Sequence, residues 1–517
     1  MKAKEQSAAG ISPTAEAEQT LRLRLIAVLA GVGLFGLVAF LLSHPVVDQD
    51  VWHEIALARV LFETGTLPMA DPFAYTPTVP FIQHEWGAGV LALLSIDWFG
   101  ATGLALLKFA LGGLLALFLV LRLRMEKTSL VVLAPVTILA LNMIQPGFGT
   151  VRAQIYSLVA VAALLWCLAL DRKGSRRWIW LWMPLFVVWL NVHGGFVVAF
   201  GLLGAEWLER AAKGRRDWHL VAVGAAMLGA VALNPYGLRY YAYMLDALTI
   251  RRPDIKEWQP IWVAASEFPA SVTAFVLTIP VVAYAVYRRG WREVAGLGPL
   301  LLLLVASVRT NRLAMFYGVA FLATVPAMLE GTGYAAWADR KLRRWSAAVF
   351  PVTAILALLL VASAWQRQPW RVLVPGAAMP AYGKHVVYPV GAVDYLKRHR
   401  FHGNLMVSFP IGAYVLWKLA PEVKVSIDSR YEVAYEPAFA ERFIRVYRTA
   451  EGAGTILESY PHDALLVEAD SPVRAEIESG GRWKAVYEDA SYFVYARSDS
   501  RLPVERNQRA SPDGTIP

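Results

Sequence analysis

Val46-Val47-Asp48-Gln49-Asp50-Val51-Trp52-His53-Glu54 follows closely on a run of apolar residues, 25–42, and the pairing of these two stretches decides how the chain is read. The run is long enough to cross a bilayer. Lys2, Lys4, Arg22 and Arg24 precede it, and positive charge flanking a first span marks the cytoplasmic side. Asp48 and Asp50 are therefore expected on the opposite, non-cytoplasmic side, at the membrane edge. Carboxylates kept close to lipid are costly and are by default candidates for function.

Composition agrees with many further spans. The 517 residues are 57% hydrophobic, with mean hydropathy +0.43, which excludes an ordinary soluble protein. The net charge of +10 comes in short bursts between apolar runs. That pattern speaks of topology and anionic lipid, not nucleic acid. Cys167 is the only cysteine and lies within an apolar run, so neither an intrachain disulfide nor a cysteine metal site can form. The polar stretch 1–20 reads as a cytoplasmic tail ahead of an uncleaved anchor.

Basic bursts fix the parity of the remaining runs. Arg122, Arg124 and Lys127 must be cytoplasmic, so only one of the segments 87–99 and 104–121 crosses. The first is short and flanked by Glu85 and Asp97, and is expected to lie as an interfacial helix on the outer surface. Further crossings fall at 131–144, 155–170, 179–190, 196–208, 220–233, 272–287, 294–308, 313–329 and 347–364. With 25–42 and 104–121, about eleven spans satisfy every burst. The expected fold is a polytopic α-helical membrane protein, spanning 21–365, with a first external loop at 44–101. Beyond residue 365 short strand-like runs alternate with helical stretches: 405–409, 423–427, 464–467, 483–487 and 492–495, with a helix at 390–400. A small extracytoplasmic α/β domain is expected at 366–497, followed by a disordered tail at 498–517.

Two residues apart, Asp48 and Asp50 point to one side of an extended backbone, roughly 7 Å from each other. Residues 51–63 have helical spacing with Gly65 as a stop. Either acid can serve as a helix cap, Asp50 more readily, whereas Asp48 suits a general base better.

An apolar span, Asp-x-Asp and an amphipathic helix open the chain. Then come Asp71-Pro72-Phe73-Ala74-Tyr75, His84-Glu85-Trp86, Arg152-Ala153-Gln154, Asn191-Val192-His193-Gly194-Gly195-Phe196 and Asn234-Pro235-Tyr236-Gly237. Over about the first 330 residues this ordered set resembles the GT-C superfamily of membrane glycosyltransferases. These include protein O-mannosyltransferases and aminoarabinose transferases. The resemblance implies a polyprenyl-phosphate sugar donor and an extracytoplasmic acceptor (glycan, lipid or protein). It also implies a bacterial inner membrane and a catalytic acid just after span one, which transfers to Asp48, with Asp50 second. Some relatives carry Asp-Glu followed by Arg-Tyr where this chain has Asp-Gln-Asp-Val-Trp-His.

Parity brings further polar residues to the same face: His53, His84, Glu85, Arg152, Gln154, Asn191, His193, Asn234, Arg239, Arg309 and Arg312. Arginine suits a bidentate grip on phosphate, with Arg309 and Arg312 the first choices and Arg152 and Arg239 next, although an arginine at a span end often only snorkels to headgroups. His53, His84 and His193 are ligand types for a divalent cation beside Asp50 or Glu85, but without tight ligand spacing, and no cofactor is assigned. Trp258 and Trp262 are candidates for stacking on a sugar, against a background of interfacial aromatics. Ser426-Ile427-Asp428-Ser429-Arg430-Tyr431 carries neither a nucleophile motif nor a phosphate loop and reads as structural or acceptor-docking. The expectation is an inverting transferase. A transporter or flippase would put charges at mid-membrane, and a non-catalytic subunit of an envelope assembly machine would tolerate loss of Asp48.

Overall fold

The computed structural model describes residues 13–126, 128–247, 255–380, 384–507, 513, 514 and 516. Fifteen helices come first: α1 (Pro13–Leu42), α2 (Asp50–Thr64), α3 (Trp86–Phe99), α4 (Gly103–Arg124), α5 (Leu130–Phe148), α6 (Gln154–Arg172), α7 (Trp178–Val192), α8 (Val197–Ala212), α9 (Trp218–Ala230), α10 (Arg239–Ala247), α11 (Ile261–Ala264), α12 (Pro269–Arg289), α13 (Leu297–Arg309), α14 (Ala314–Glu330) and α15 (Tyr334–Gln366). Among the described residues, seven helical stretches are long and apolar enough to cross a membrane: Glu16–Leu42, Trp86–Arg124, Leu130–Phe148, Gln154–Arg172, Pro269–Arg289, Asn311–Glu330 and Tyr334–Gln366. Helices α7, α9 and α13 are apolar but shorter. Each of the eleven stretches expected to cross centres on a helix. The stretch expected as an interfacial helix is α3, which a single 3-10 turn joins to α4.

Burial sorts these helices. Helix α14 is buried on nearly every face, which is why it reads as apolar all round. Helices α1 and α15 lie against each other at the periphery, where a Cβ on Gly36 would come within 2.9 Å of the Val361 amide nitrogen. At the end of the bundle where α6 and α8 finish, Asp171 and Glu206 are fully buried and paired with Arg176, Arg210 and Arg172. Part of the basic burst expected only as a topological signal is therefore neutralised inside the protein.

The C-terminal unit carries α16 (Val390–Arg398), β1 (Gly403–Met406), α17 (Phe409–Leu419), β2 (Val423–Val425), α18 (Tyr431–Ala434), α19 (Pro437–Thr449), α20 (Ala453–Ser459), β3 (Ala464–Glu468), α21 (Val473–Ser479), β4 (Trp483–Glu488), β5 (Tyr492–Arg497) and β6 (Glu505–Arg506). Its sheet runs β2-β1-β3-β5-β4-β6, parallel from β2 to β3 and antiparallel from β3 to β4. All five strand-like runs become strands. The first ends at Met406 instead of residue 409 because Pro410 opens α17 in its first turn. The tail expected to be disordered from 498 onward is partly ordered: β6 pairs in parallel with β4, and Gly514 bridges to Val374.

The first loop and this unit hold each other. Residues 73–75 run beside β2, with the Val425 amide donating to Phe73 O (3.0 Å) and the Tyr75 amide to Val425 O (3.2 Å). Next to this added edge, Arg430 reaches across to Asp71 (2.6 Å) while its Nε donates to Asp428 Oδ1 (2.8 Å). The guanidinium also lies 5.2 Å from the Phe81 ring centroid and 5.4 Å from that of Phe73. Asp71 Oδ2 accepts the Ala74 amide, which turns the chain toward the sheet. On the other side Trp52 is fully buried, stacked on Trp417 and edge-on to Tyr388 and Tyr414.

Removing one member of a buried ion network leaves its partners charged and unpaired, at a cost of about 3–5 kcal/mol. Arg430→Met is expected to destabilise the docked loop by that order and to open residues 66–85 to protease. Arg398→Ala, which breaks a largely exposed pair with Glu505, is expected to cost under about 1 kcal/mol. Equal protease resistance of the two variants contradicts the assignment.

Candidate active site between the first loop, the helix ends and the C-terminal unit

A cavity of about 1300 Å³ opens where α1, α6, α8 and α13 have their loop-side ends and the C-terminal unit covers them. It exceeds the ~300–1,000 Å³ of ordinary small-molecule sites. Asp48, Asp50, His53, His84, Glu85, Arg152, His193, Arg309 and Arg312 line it. So do Trp258 and Tyr431, the latter from the segment expected to be structural or acceptor-docking, and Glu257, Lys384 and His385, which the sequence does not single out.

Asp48 owes its position to a short backbone seam. Val47 bridges Val151 in parallel, and the Asp48 amide donates to Val151 O (3.3 Å). The seam sets Arg152 beside the acid, with its Nε 3.5 Å from Asp48 Oδ2. The other oxygen, Oδ1, accepts the amide of Asp50 (3.2 Å), the first residue of α2. Asp48 thus supports the helix start as well, a role expected chiefly of Asp50, because the chain turns at Gln49 and does not continue extended. Helix α2 then stops as expected at Gly65, whose φ of 73° is the left-handed conformation of a helix end.

The ion pair continues across the cavity. Glu257 lies 3.6 Å from Arg152 and also pairs with Arg312, whose guanidinium sits 4.8 Å from the Trp258 ring centroid. Two of the expected phosphate ligands are therefore neutralised by carboxylates. Arg309 and Lys384 line the same cavity with no carboxylate within ion-pair distance among the described residues. Glu257 was missed in the sequence because it stands alone in a long loop; Lys384 was missed because it belongs to the segment after the last helix of the bundle.

A second acidic centre forms the far wall. His84 Nε2 and His193 Nε2 stand 3.5 and 3.4 Å from Glu85 Oε1. His193 Nδ1 accepts from the Gly195 amide (2.9 Å) and lies 2.7 Å from Ser157 Oγ. An imidazole that accepts at Nδ1 carries its proton on Nε2, so an N–H faces Glu85. Burial holds His193 at a pKa of about 3, and burial together with the Arg430 charge does the same to His53. Burial alone would raise Glu85, but the flanking imidazoles outweigh it and keep its carboxyl well below the usual range. Glu54, buried beside it, is pushed well above that range by desolvation and by the Glu85 charge. The two neighbouring carboxyls are thus pushed in opposite directions, Glu54 up and Glu85 down.

The glycine-containing motifs explain this closeness. A Cβ on Gly195 would come within 2.4 Å of Ser157 Oγ, and one on Gly194 within 3.0 Å of His84. Trp86 Nε1 donates to Asn191 Oδ1 (2.9 Å), and a Cβ on Gly87 would approach Asn191 O to 2.7 Å. His84-Glu85-Trp86-Gly87 and Asn191 to Phe196 are one interlocked unit.

Four expected binding residues do not line the cavity. Asn191 is used by Trp86 and by the carbonyls of Val187 and Leu233. Asn234 closes its own turn by accepting the Tyr236 amide (2.7 Å). Arg239 turns away to Met69 Sδ. Gln154 is buried at the start of α6, its side-chain amide without a hydrogen-bond partner among the described residues. Trp262 is 65% exposed and likewise outside the cavity lining, so of the two tryptophans only Trp258 lines the cavity. His53 is tied to Ser429 (2.7 Å), and among the described residues no group of three or more His, Cys, Asp or Glu is arranged to hold a metal ion.

No protein-family model matches the chain, and no curated protein matches its sequence. Solved structures do resemble it. The oligosaccharyltransferase AglB from Archaeoglobus fulgidus, in complex with an inhibitory peptide and a dolichol-phosphate, matches with a TM-score of 0.55 at 12% identity, covering 94% of this chain and 75% of that one. The apo form of the A. fulgidus oligosaccharyltransferase gives 0.51 at 11% identity, with the same coverage. ArnT from Cupriavidus metallidurans gives 0.49 at 12% identity, covering 93% of this chain and 98% of that one. The chain is a multi-pass membrane protein that shares its fold with the A. fulgidus oligosaccharyltransferase.

Proposed function

We propose that the protein is an integral-membrane glycosyltransferase. In this reading it moves a sugar from a polyprenyl-phosphate donor to an acceptor on the non-cytoplasmic side, with inversion, and Asp48 is the general base. The observation that carries the reading is the composition of the cavity. A membrane-edge carboxylate held by Arg152 faces the same space as Arg309 and Lys384, two cations without carboxylate partners among the described residues. The fold supports it, since it is shared with an oligosaccharyltransferase whose structure was solved in complex with a dolichol-phosphate.

In this mechanism the acceptor hydroxyl gives its proton to Asp48 as its oxygen bonds to the anomeric carbon. The bond from that carbon to the phosphate oxygen breaks, and its electron pair leaves with the lipid phosphate. Arg152 aims Asp48. Arg309 and Lys384 bind the phosphate and offset the charge that grows on it. Because the donor enters from the membrane, the site needs no nucleotide pocket. The N-terminus is then cytoplasmic and the C-terminal unit extracytoplasmic, in a bacterial inner membrane.

Two measurements test this. Purified Asp48→Asn is expected to keep donor binding and lose roughly 10²–10⁴-fold in turnover of a radiolabelled polyprenyl-phosphate sugar; full turnover refutes the role. Arg309→Ala and Lys384→Ala are each expected to raise the donor KM about ten-fold or more, from loss of a charged hydrogen bond of roughly 1.5–3 kcal/mol. Arg239→Ala, outside the cavity, should leave that KM unchanged. Similar KM values for all three contradict the phosphate assignment.

A further inference from the structure

Lys108 sits in the second turn of α4, only 3% exposed, in a helix of spanning length. Ionisable groups in such segments are expensive and are kept near partners. Its partners are unusual: no carboxylate is paired with it among the described residues. The ammonium instead donates to three backbone carbonyls, those of Leu42 (2.5 Å), His44 (3.2 Å) and Gly149. Leu42 ends α1 and Gly149 caps α5. Two helix C-termini, each the negative end of a helix dipole, thus converge on one cation. A turn further along α4, a Cβ on Gly112 would meet the Phe148 ring at 2.9 Å and Leu42 at 3.7 Å, so α1, α4 and α5 are in close contact at this point.

What leaves these two helix ends matters. The chain from Leu42 reaches Asp48 in six residues, and the chain from Gly149 reaches Arg152 in three. Those stretches are joined by the Val47–Val151 seam and the Asp48–Arg152 pair described above. A small void beneath it is lined by Lys108 together with Glu54, Val151 and Arg152. From this geometry we infer that Lys108 is a positioning residue: by tying the ends of α1 and α5 together, it fixes the register in which Arg152 holds Asp48. This rests on the proposed role of Asp48 for its effect on turnover, but not for its structural part.

The test has two readouts on the full-length protein in detergent or nanodiscs. The first is hydrogen–deuterium exchange. Lys108→Met is expected to raise exchange at residues 43–53 and 149–153 at least ten-fold, with α6, α14 and the C-terminal unit unchanged. Unchanged exchange at 43–53 overturns the inference whatever the enzyme does. The second is kinetic. Lys108→Met should lower kcat at least ten-fold while the donor KM stays within about two-fold, and Lys108→Arg, which keeps the charge and donors, should recover most of kcat. In an Asp48→Glu background, chosen for residual turnover, Lys108→Met should cost far less than in the wild type, because residues acting as one unit are non-additive. Fully additive losses overturn the inference while leaving Asp48 as base intact. If Lys108→Met does not accumulate, Lys108→Gln removes the charge with a smaller change of polarity and is read the same way.

Discussion

The contact between Asp48 and Arg152 is the constraint on which the site depends. Neither residue lies inside a regular element: each sits on a short stretch between two helices. The Val47–Val151 seam sets them side by side, and Glu257 extends the pairing to Arg312. The chain thus places a carboxylate at a cavity wall without burying an isolated charge, which would be costly. It also has a selective consequence. Arginines committed to carboxylates give little to an incoming anion, so under the proposed function recognition of a phosphate falls to Arg309 and Lys384.

The C-terminal unit is part of the same device and not an appendage. Residues 73–75 lengthen its sheet, Arg430 joins Asp71 to Asp428, and Trp52 is sealed among Tyr388, Tyr414 and Trp417. Helix α2 therefore presents three successive side chains to three different surroundings. Trp52 faces the C-terminal unit, His53 reaches Ser429 at the cavity, and Glu54 lies against Glu85. A helix fixed on three sides has little freedom to rotate, and Asp48 at its start inherits that rigidity.

Much of this was legible in the sequence because the signals were local or periodic. Apolar runs gave the helices, alternation beyond residue 389 gave the strands, and Gly65 gave the end of α2. The gathering of Asp48, Glu85, Arg152, His193, Arg309 and Arg312 followed from span parity, which needs only charge and length. What parity cannot resolve is direction within a rim. Asn191, Asn234 and Arg239 lie near that face yet spend their polar atoms on backbone turns or on Met69. Glu257 and the pairing of Arg430 with Asp71 escaped notice for a different reason: their partners are tens to hundreds of residues distant, and no spacing rule links them. The order at Glu505–Arg506 was hidden likewise, since a polar tail shows no sign of the strand it will meet.

The most direct measurement is a structure of the protein with a short-chain polyprenyl phosphate, determined by electron cryo-microscopy in nanodiscs. The account requires the phosphate to lie between Arg309 and Lys384, with the Asp48 carboxylate facing the space where the sugar would stand. A phosphate bound outside this cavity, or an Asp48 turned away from it, contradicts the account.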